Sequence, residues 1–301
     1  MTDQTSPPLV GVGHAPAPET VTASSKALRP SRPLVVDLNC SMAFLHLPIA
    51  LQLAKARSAG FAAVELWWPF DSPAPDYREV ADFVRAITKS GLRLVCMNTA
   101  GGDFTCGWRG LASLPDHSEV FRANIDLATR LAEDLGTGLL NVLYGNSVPG
   151  LPPEGQRGQA ISSLRYAAES AAGRGQTILV EALNGHDLFD YSTHSSADVR
   201  SLLEPIWAEG LGNLALLADI YHLATGGEDV LDLPTRGAVG HVQVADVPGR
   251  GQPGTDKLPF YELLSAHIGS GYGGLVGCEY AVDGGGAADW VAGIDGLVAL
   301  R

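Results

Sequence analysis

Four side chains that carry oxygen donors stand at similar places in the second half of the chain. Glu181, Asp219, Gln243 and Glu279 each close an apolar run of the kind that forms a buried strand. The intervals between them are 38, 24 and 36 residues, and each matches about one strand–helix unit. The four side chains meet only if their strands lie side by side and parallel. Barrel enzymes place their chemistry at the carboxyl edge of such strands.

Three carboxylates that converge without a cation repel one another, so the pattern favours a bound divalent ion. The predicted ligands are the same four residues, which provide three carboxylates and one amide oxygen, without cysteine or histidine. That donor set favours Mg²⁺ or Mn²⁺ over Zn²⁺. Any one of these acids, taken alone, could instead be an ordinary solvated or helix-capping carboxylate. The matched depth of all four favours a metal site.

The elements that must position these residues alternate between short apolar runs and segments with apolar residues every three or four positions. Near-continuous apolar runs indicate strands buried on both faces of a parallel sheet. The eight runs span residues 34–39, 62–68, 92–98, 138–145, 177–183, 213–219, 239–246 and 274–280. The clearest helical segments span residues 48–60, 77–91, 118–136 and 156–175. The helix after the sixth strand is expected to break early, at LATGGED.

Eight strand–helix alternations predict an α/β fold, a parallel eight-stranded (β/α)8 TIM barrel. A doubly wound open sheet is the alternative, weakened because no Gly-X-Gly-X-X-Gly follows the first strand. Residues 33–301 suit one catalytic barrel, since such barrels take roughly 250 residues. Residues 1–32 are rich in Pro, Ala, Ser and Thr, which predicts a disordered N-terminal tail without the apolar centre of a secretory signal.

The formal net charge of −13 argues against DNA or RNA as a partner, because binding phosphates requires a basic surface. No apolar run approaches the roughly 20 residues of a membrane span. Four cysteines without a Cys-X-X-Cys pair are typical of reduced thiols in a cytoplasmic protein. The expected partner is a small-molecule substrate. Three aromatic residues, Trp67, Trp68 and Phe70, are candidates for a wall over the site, an oligomer contact or simple loop packing.

Several segments resemble hydroxypyruvate isomerases, which belong to the xylose-isomerase-like barrel superfamily. The resemblance covers essentially all of residues 34–281, and ADVPGRGQPGT is its most specific part. The segments are DIYH (219–222), HVQVADVPGRGQPGT (241–255), GYGGLVGCEY (271–280), NCSMAF (39–44), GFAAVELWWPFD (60–71) and NTAGGDFTCGWRGLASLP (98–115).

The resemblance implies reversible conversion of hydroxypyruvate to tartronate semialdehyde, or a closely similar isomerisation of a 2-oxo sugar acid. It implies that two glutamates at the ends of strands five and eight act in proton transfer, which by position are Glu181 and Glu279. It carries the metal ligands over to these two glutamates and also to Asp219 and Gln243. The chain departs from its relatives at Trp108, where they commonly carry glutamate, and at TAGGDF, where their turn is shorter. Both departures lie on the expected substrate side.

Such an exchange moves a proton between adjacent carbons through an enediolate, whose negative charge a divalent ion would stabilise. One glutamate would remove the C–H proton and the other would return it; which does which stays open, and a metal-assisted hydride shift is the alternative route. Candidate substrate contacts are rim residues, with the two arginines able to hold a carboxylate. The candidates are His222, Arg250, Asp187, Arg109, Asn98 and His46. His241 is assigned mainly to packing.

Three other functions compete with this interpretation. A ketose 3-epimerase has the same barrel and uses a bound metal in the same way, but relatives of that type usually have histidine where Gln243 stands. An endonuclease IV-like metal enzyme needs several histidine ligands and a basic surface, which this chain lacks. A non-catalytic sugar-acid binding barrel has no positive support, because all four predicted ligands are present.

Overall fold

The structure is a computed structural model, and its description covers most of the chain beyond the predicted tail. The described residues are 33–102, 107–233, 238–255, 257–282, 286–293 and 296–300. The predicted disordered tail, residues 1–32, lies outside them, as do residues 103–106 of the loop after the third strand. Cys40, Cys96 and Cys278 are buried free thiols, and Cys106 lies outside the described residues.

Eight parallel strands form a closed barrel, which confirms the predicted (β/α)8 architecture. Each strand pairs with the next, and β1 closes the ring by pairing with both β8 and β2. The strands are β1 (Leu34–Asn39), β2 (Ala63–Leu66), β3 (Arg93–Asn98), β4 (Leu139–Val142), β5 (Thr177–Glu181), β6 (Leu214–Asp219), β7 (Val239–Val244) and β8 (Val276–Cys278). Five of the apolar runs, in β2, β4, β5, β7 and β8, continue past their strands into the loops at the barrel rim.

A ninth strand, β9 (Val298–Ala299), was not expected from the sequence. It pairs with the start of β1, in parallel. The backbone N–H of Leu34 donates to the carbonyl of Leu297 over 2.8 Å, which extends the same contact. The segment is too short to show the alternation by which a strand is recognised in a sequence.

The helices pack outside the barrel and start and stop largely where the sequence predicts. They are α1 (Cys40–Ala43), α2 (Ile49–Ser58), α3 (Tyr77–Ser90), α4 (Ser118–Leu135), α5 (Pro153–Ala172), α6 (Ser196–Ala208), α7 (Ile220–Thr225) and α8 (Phe260–Gly269). Gly91 and Gly136 end α3 and α4 in the left-handed conformation, which glycine adopts without strain. Helix α7 is short, as LATGGED predicts.

The start of α5 differs from the predicted position, because the helix begins at Pro153 rather than near residue 156. Proline suits the first turn of a helix, where its missing N–H has no partner to lose. Within the described ranges, no helix combines the length and the apolar character needed to cross a membrane.

Alternation along the strands divides the barrel interior into an apolar layer and a polar layer. Leu179 stands two residues before Glu181 on β5, and Leu217 stands two before Asp219 on β6, so each pair points to the same face. Both leucines belong to a small buried cluster that is separate from the main core. This cluster comprises Ala63, Val95, Cys96, Leu179 and Leu217. The candidate ligands at the ends of β5 and β6 therefore stand on a packed apolar floor.

Candidate active site

The four predicted ligands lie together at the carboxyl edge of strands β5 to β8. Glu181 and Asp219 are the last residues of β5 and β6, Gln243 is the last but one of β7, and Glu279 directly follows β8. All four are buried, with at most 5% of their surface exposed. The sequence predicted that Gln243 and Glu279 stand at the ends of their strands. In the structure, Gln243 lies one residue before the end of β7 and Glu279 lies one residue after the end of β8. Carboxylates this deeply buried need a positive charge or hydrogen bonds beside them.

Asp219 is held in place by the helix that follows it. Its Oδ1 caps α7, accepting hydrogen bonds from the backbone N–H of Tyr221 at 2.8 Å and of His222 at 3.4 Å. Oδ2 accepts a hydrogen bond from Nη2 of Arg250 over 2.7 Å. Oδ1 therefore fixes the side chain, and Oδ2 contacts Arg250 within the site.

The two glutamates are anchored in the same manner by side-chain amides and an indole. Asn141 donates to Oε2 of Glu181 over 2.8 Å. Asn39 at 3.1 Å and Nε1 of Trp67 at 3.0 Å donate to Oε1 of Glu279. Oε2 of Glu279 is buried and accepts no hydrogen bond, although Nη2 of Arg250 lies 3.1 Å away. Each carboxylate is thus oriented through one of its oxygens.

Arg250 brings the positive charge into this group of acids. Its Nη2 contacts both Asp219 and Glu279, and its Nε donates to the backbone carbonyl of Glu279 over 3.2 Å. The guanidinium also lies 5.1 Å from the ring centroid of Tyr221, a cation–π arrangement. The sequence predicted a substrate contact for Arg250, and the structure places its side chain among the predicted metal ligands.

The loop that presents Arg250 is organised by a carboxylate that the sequence did not single out. Asp246 is fully buried after β7 and accepts backbone N–H groups of Gly254, Lys257 and Leu258, each over 3.0 Å. Arg250 itself adopts a φ of 56°, in the left-handed region that non-glycine residues seldom occupy. The loop's hydrogen bonds hold this strained position, which turns the guanidinium toward the acids.

His222 lies beside Asp219, with a donor group facing each nitrogen of its ring. The backbone N–H of Asn184 donates to Nδ1 over 3.2 Å, so Nδ1 accepts. Nη1 of Arg250 lies 3.2 Å from Nε2, which also faces Oδ2 of Asp219 at 3.7 Å. Burial lowers the pKa of His222 to about 4, which keeps the ring neutral.

The arrangement fits a divalent cation. Ligand atoms of Glu181, Asp219 and His222 lie within 4.8 Å of one another. Oε1 of Gln243 is buried without a hydrogen-bond partner, and Nη2 of Arg250 stands between two of the acids as a cation does. Burial, then Glu279 and Asp219, raise the pKa of Glu181 well above its usual value. Burial, opposed by Arg250, raises the pKa of Glu279 to about 7.

These pKa shifts predict that the protein releases protons when it binds a divalent ion. In the metal-free site Glu279, with a pKa of about 7, is partly protonated at pH 7, and the raised pKa of Glu181 favours its protonated form, whereas ligands must be ionised. Affinity for the ion should therefore rise with pH between about 6 and 8. Titration calorimetry at pH 7 in two buffers of different protonation enthalpy measures the released protons. Equal heats in both buffers would contradict the expectation.

A cleft of about 240 Å³ opens above the acids and gathers most of the other predicted residues. Asn98, Arg109, Asp187, His222 and Arg250 all line it, together with Glu181 and Glu279. His46 does not; it is exposed in the segment between α1 and α2. Leucines at positions 143, 183 and 188 supply the apolar part of the wall. The cleft thus combines charged and apolar surface, and both glutamates line it.

The predicted aromatic group divides between the cleft and the core. Trp67 lines the cleft and donates to Glu279, whereas Trp68 packs edge-on against Phe70 at 5.1 Å between ring centroids. Phe70 continues to Phe83 of α3 at 5.5 Å. Trp108 is 37% exposed and packs near His117. Only Trp67 among these aromatics touches the group of acids.

Known proteins show the same combination of fold and sequence. The profile of the xylose isomerase-like TIM barrel family matches residues 53–300. Over 249 residues the chain is 43% identical to the putative hydroxypyruvate isomerase of Streptomyces coelicolor, covering 81% of this chain and 89% of that protein. The chain belongs to the hydroxypyruvate isomerase family. It is an enzyme of the isomerase type.

Two further similarities bear on what a member of the hydroxypyruvate isomerase family does. The 2-oxo-tetronate isomerase of Cupriavidus necator is 31% identical over 248 residues, with 80% of this chain and 90% of that protein covered. A crystal structure described as an AP endonuclease of family 2 from Brucella melitensis is 30% identical, with a TM-score of 0.78, and covers 86% of this chain and 98% of that one. The two descriptions imply different chemistry.

The charge and the site favour the isomerase description for this member of the family. A net charge of −13 repels a nucleic-acid backbone. Among the described residues that line the cleft, His222 is the single histidine. Sugar-acid isomerisation by proton transfer needs carboxyl groups that can exchange protons, and Glu181 and Glu279 line this cleft with raised pKa values.

Proposed function

We propose that the protein interconverts hydroxypyruvate and tartronate semialdehyde, or a closely similar pair of 2-oxo sugar acids, with Mg²⁺ or Mn²⁺ as its cofactor. The observation that carries the proposal is the placement of Glu181 and Glu279. Both are buried, both are anchored through one oxygen, and both line one cleft beside Asp219. Two positioned carboxylates suffice to remove and return one proton.

Metal binding is assigned to Glu181, Asp219, Gln243 and Glu279. The unsatisfied Oε1 of Gln243 supports this set, because a buried oxygen without a donor is costly unless a cation faces it. When bound, a divalent ion would stabilise the negative charge of an enediolate. An all-oxygen set favours Mg²⁺ or Mn²⁺.

Proton transfer is assigned to the two glutamates. A carboxyl group that lines the cleft can alternate between acid and base, and both glutamates line it. Hydrogen bonds from Asn141 to Glu181 and from Trp67 to Glu279 hold each carboxyl group in one orientation.

Substrate binding is assigned to the cleft residues that carry charge or hydrogen-bonding groups. Arg109 lines the cleft, and burial lowers its pKa while leaving it cationic, which suits a substrate carboxylate. Arg250 approaches from the opposite loop. Asp187 accepts from Tyr221 over 2.8 Å and from Asn184 over 3.0 Å, so its carboxylate is fixed at the rim for a substrate hydroxyl.

Proton NMR of hydroxypyruvate in D₂O tests the proposal directly. EDTA-treated protein is compared with the same protein given Mg²⁺, and Mn²⁺ samples are quenched with excess EDTA before the spectrum is recorded. We expect tartronate semialdehyde only with the added ion. Deuterium in the product supports proton transfer, and its absence supports a hydride shift. No conversion by metal-loaded protein would exclude hydroxypyruvate, and 2-oxo-tetronate is the next substrate in the same assay.

A further inference from the structure

A layer of ionisable groups lies inside the barrel immediately below the candidate metal ligands. Asp37 of β1, Glu65 of β2 and His241 of β7 are at most 2% exposed, and one ligand atom of each lies within 4.8 Å of the others. Nε2 of His241 is 3.5 Å from Oε1 of Glu65. His241 was predicted mainly to contribute to packing, and no sequence pattern singled out Asp37 or Glu65.

Glu65 joins this layer to the site through one hydrogen bond. Nε2 of Gln243 donates to Oε2 of Glu65 over 2.9 Å, and both side chains are at most 2% exposed. A primary amide presents a donor at one end and an acceptor at the other, and only the acceptor can bind a cation. With its nitrogen engaged by Glu65, Gln243 presents Oε1 at the other end of the amide, and that oxygen is buried without a hydrogen-bond partner.

The neighbouring strand leaves space for Glu65 to take this position. A side chain at Gly277 of β8 would overlap the carboxylate of Glu65, and its Cβ would lie 3.0 Å from Cγ of Gln243. Gly277 pairs with Gln243 on one side and with Asp37 on the other. The missing side chain therefore admits the Glu65 carboxylate to the centre of the barrel, directly against the amide.

We propose that Glu65 is a positioning residue that fixes the amide of Gln243 with its oxygen toward the divalent ion. The inference rests on the proposed metal site and deepens it. Without Glu65, the amide of Gln243 would rotate freely between its two faces, and one of them presents N–H groups to a cation. Partners that orient metal ligands in this way typically affect metal affinity or activity by about 10- to 100-fold.

The test is a double-mutant cycle on metal affinity, measured by titration calorimetry with Mn²⁺ alone. Glu65→Leu is expected to weaken binding by about 10- to 100-fold. In a Gln243→Glu background the two oxygens of residue 243 are equivalent and need no orientation. There, Glu65→Leu should leave affinity unchanged within about twofold, or raise it by removing a like charge. A loss of equal size in both backgrounds would mean a merely structural role and overturn the proposal.

Asp37→Leu is the matched control, because it removes an equally buried carboxyl group from the same layer without removing a partner of Gln243. Because Asp37 lies beside Glu65 but does not hold the amide, its loss should weaken binding less than Glu65→Leu does, and an equal loss would overturn the proposal. Thermal unfolding of every variant confirms that the barrel is formed before titration. If wild-type protein binds no Mn²⁺, the proposed metal site fails and the inference fails with it. If wild type and Glu65→Leu bind equally, only the inference fails.

Discussion

Glu279→Gln and Glu181→Gln are each expected to reduce the turnover of hydroxypyruvate by about three orders of magnitude, within the range that positioned acids and bases contribute. Glutamine keeps the size and hydrogen-bonding oxygen of each side chain, so the contacts from Trp67 and Asn141 can persist. It cannot accept a substrate proton. The loss should therefore fall on kcat and leave the fold intact.

The measurement is initial rate with saturating Mg²⁺, together with metal affinity, because both glutamates are also assigned as ligands. Glu119→Gln is the matched control; this residue is exposed in the first turn of α4, far from the cleft, and should retain full activity. Solvent deuterium exchange at the substrate carbon separates the two roles. A glutamine variant that binds metal but exchanges no deuterium has lost proton transfer. Activity within about tenfold of wild type in both variants would refute the scheme.

Asp219→Asn is expected to weaken divalent-ion affinity by at least 100-fold and to remove activity at ordinary metal concentrations. Asp219 is the acid most constrained toward the site, since capping of α7 holds Oδ1 and leaves Oδ2 to a cation. Asparagine can place its amide oxygen at only one of these two positions, and its NH₂ group at the other conflicts with either N–H donors or a cation. A loss of this size is about 2.7 kcal/mol of binding free energy.

Asp187→Asn provides the comparison for this prediction. It makes the same chemical change in the same cleft, but at the rim, where the side chain is 39% exposed and contacts Tyr221 and Asn184. It should keep metal affinity and raise KM. Calorimetric titration with Mn²⁺ and steady-state kinetics separate the two outcomes. Equal metal affinities for Asp219→Asn and wild type would remove Asp219 from the ligand set.

The fold was predictable from the sequence because its signals are local. Buried parallel strands leave apolar runs, and helix ends such as Gly91 and Gly136 are marked by the residue type that a left-handed turn needs. The short strand β9 left no comparable signal. Its pairing with β1 joins the two ends of the barrel sequence, and only the folded molecule brings them together.

The site was predictable to the extent that its residues follow strands. The spacing of Glu181, Asp219, Gln243 and Glu279 anticipated that they lie together, and the structure does bring them together. Their supports come from distant strands. Trp67 stands 212 residues from Glu279, and Glu65 stands 178 residues from Gln243. No spacing rule connects such pairs, because their contact depends on the closure of the barrel.

The position of Arg250 was also beyond the sequence. A Gly- and Pro-rich loop indicated an exposed cation for a substrate carboxylate, whereas Asp246 folds that loop inward and turns the guanidinium onto Asp219 and Glu279. The guanidinium contacts both carboxylates, which gives Arg250 a structural role. Its contact with the substrate stays a prediction.

The contacts of Arg250 have a practical consequence for anyone who purifies the protein. An arginine that already pairs with two of the buried acids should let the barrel keep its shape after chelators or affinity resins have stripped the ion. Gel filtration, circular dichroism and melting curves would then indicate a folded protein, although that protein has no catalytic activity. Elemental analysis of each batch, rather than its folding, is what distinguishes an inactive protein from an unloaded one.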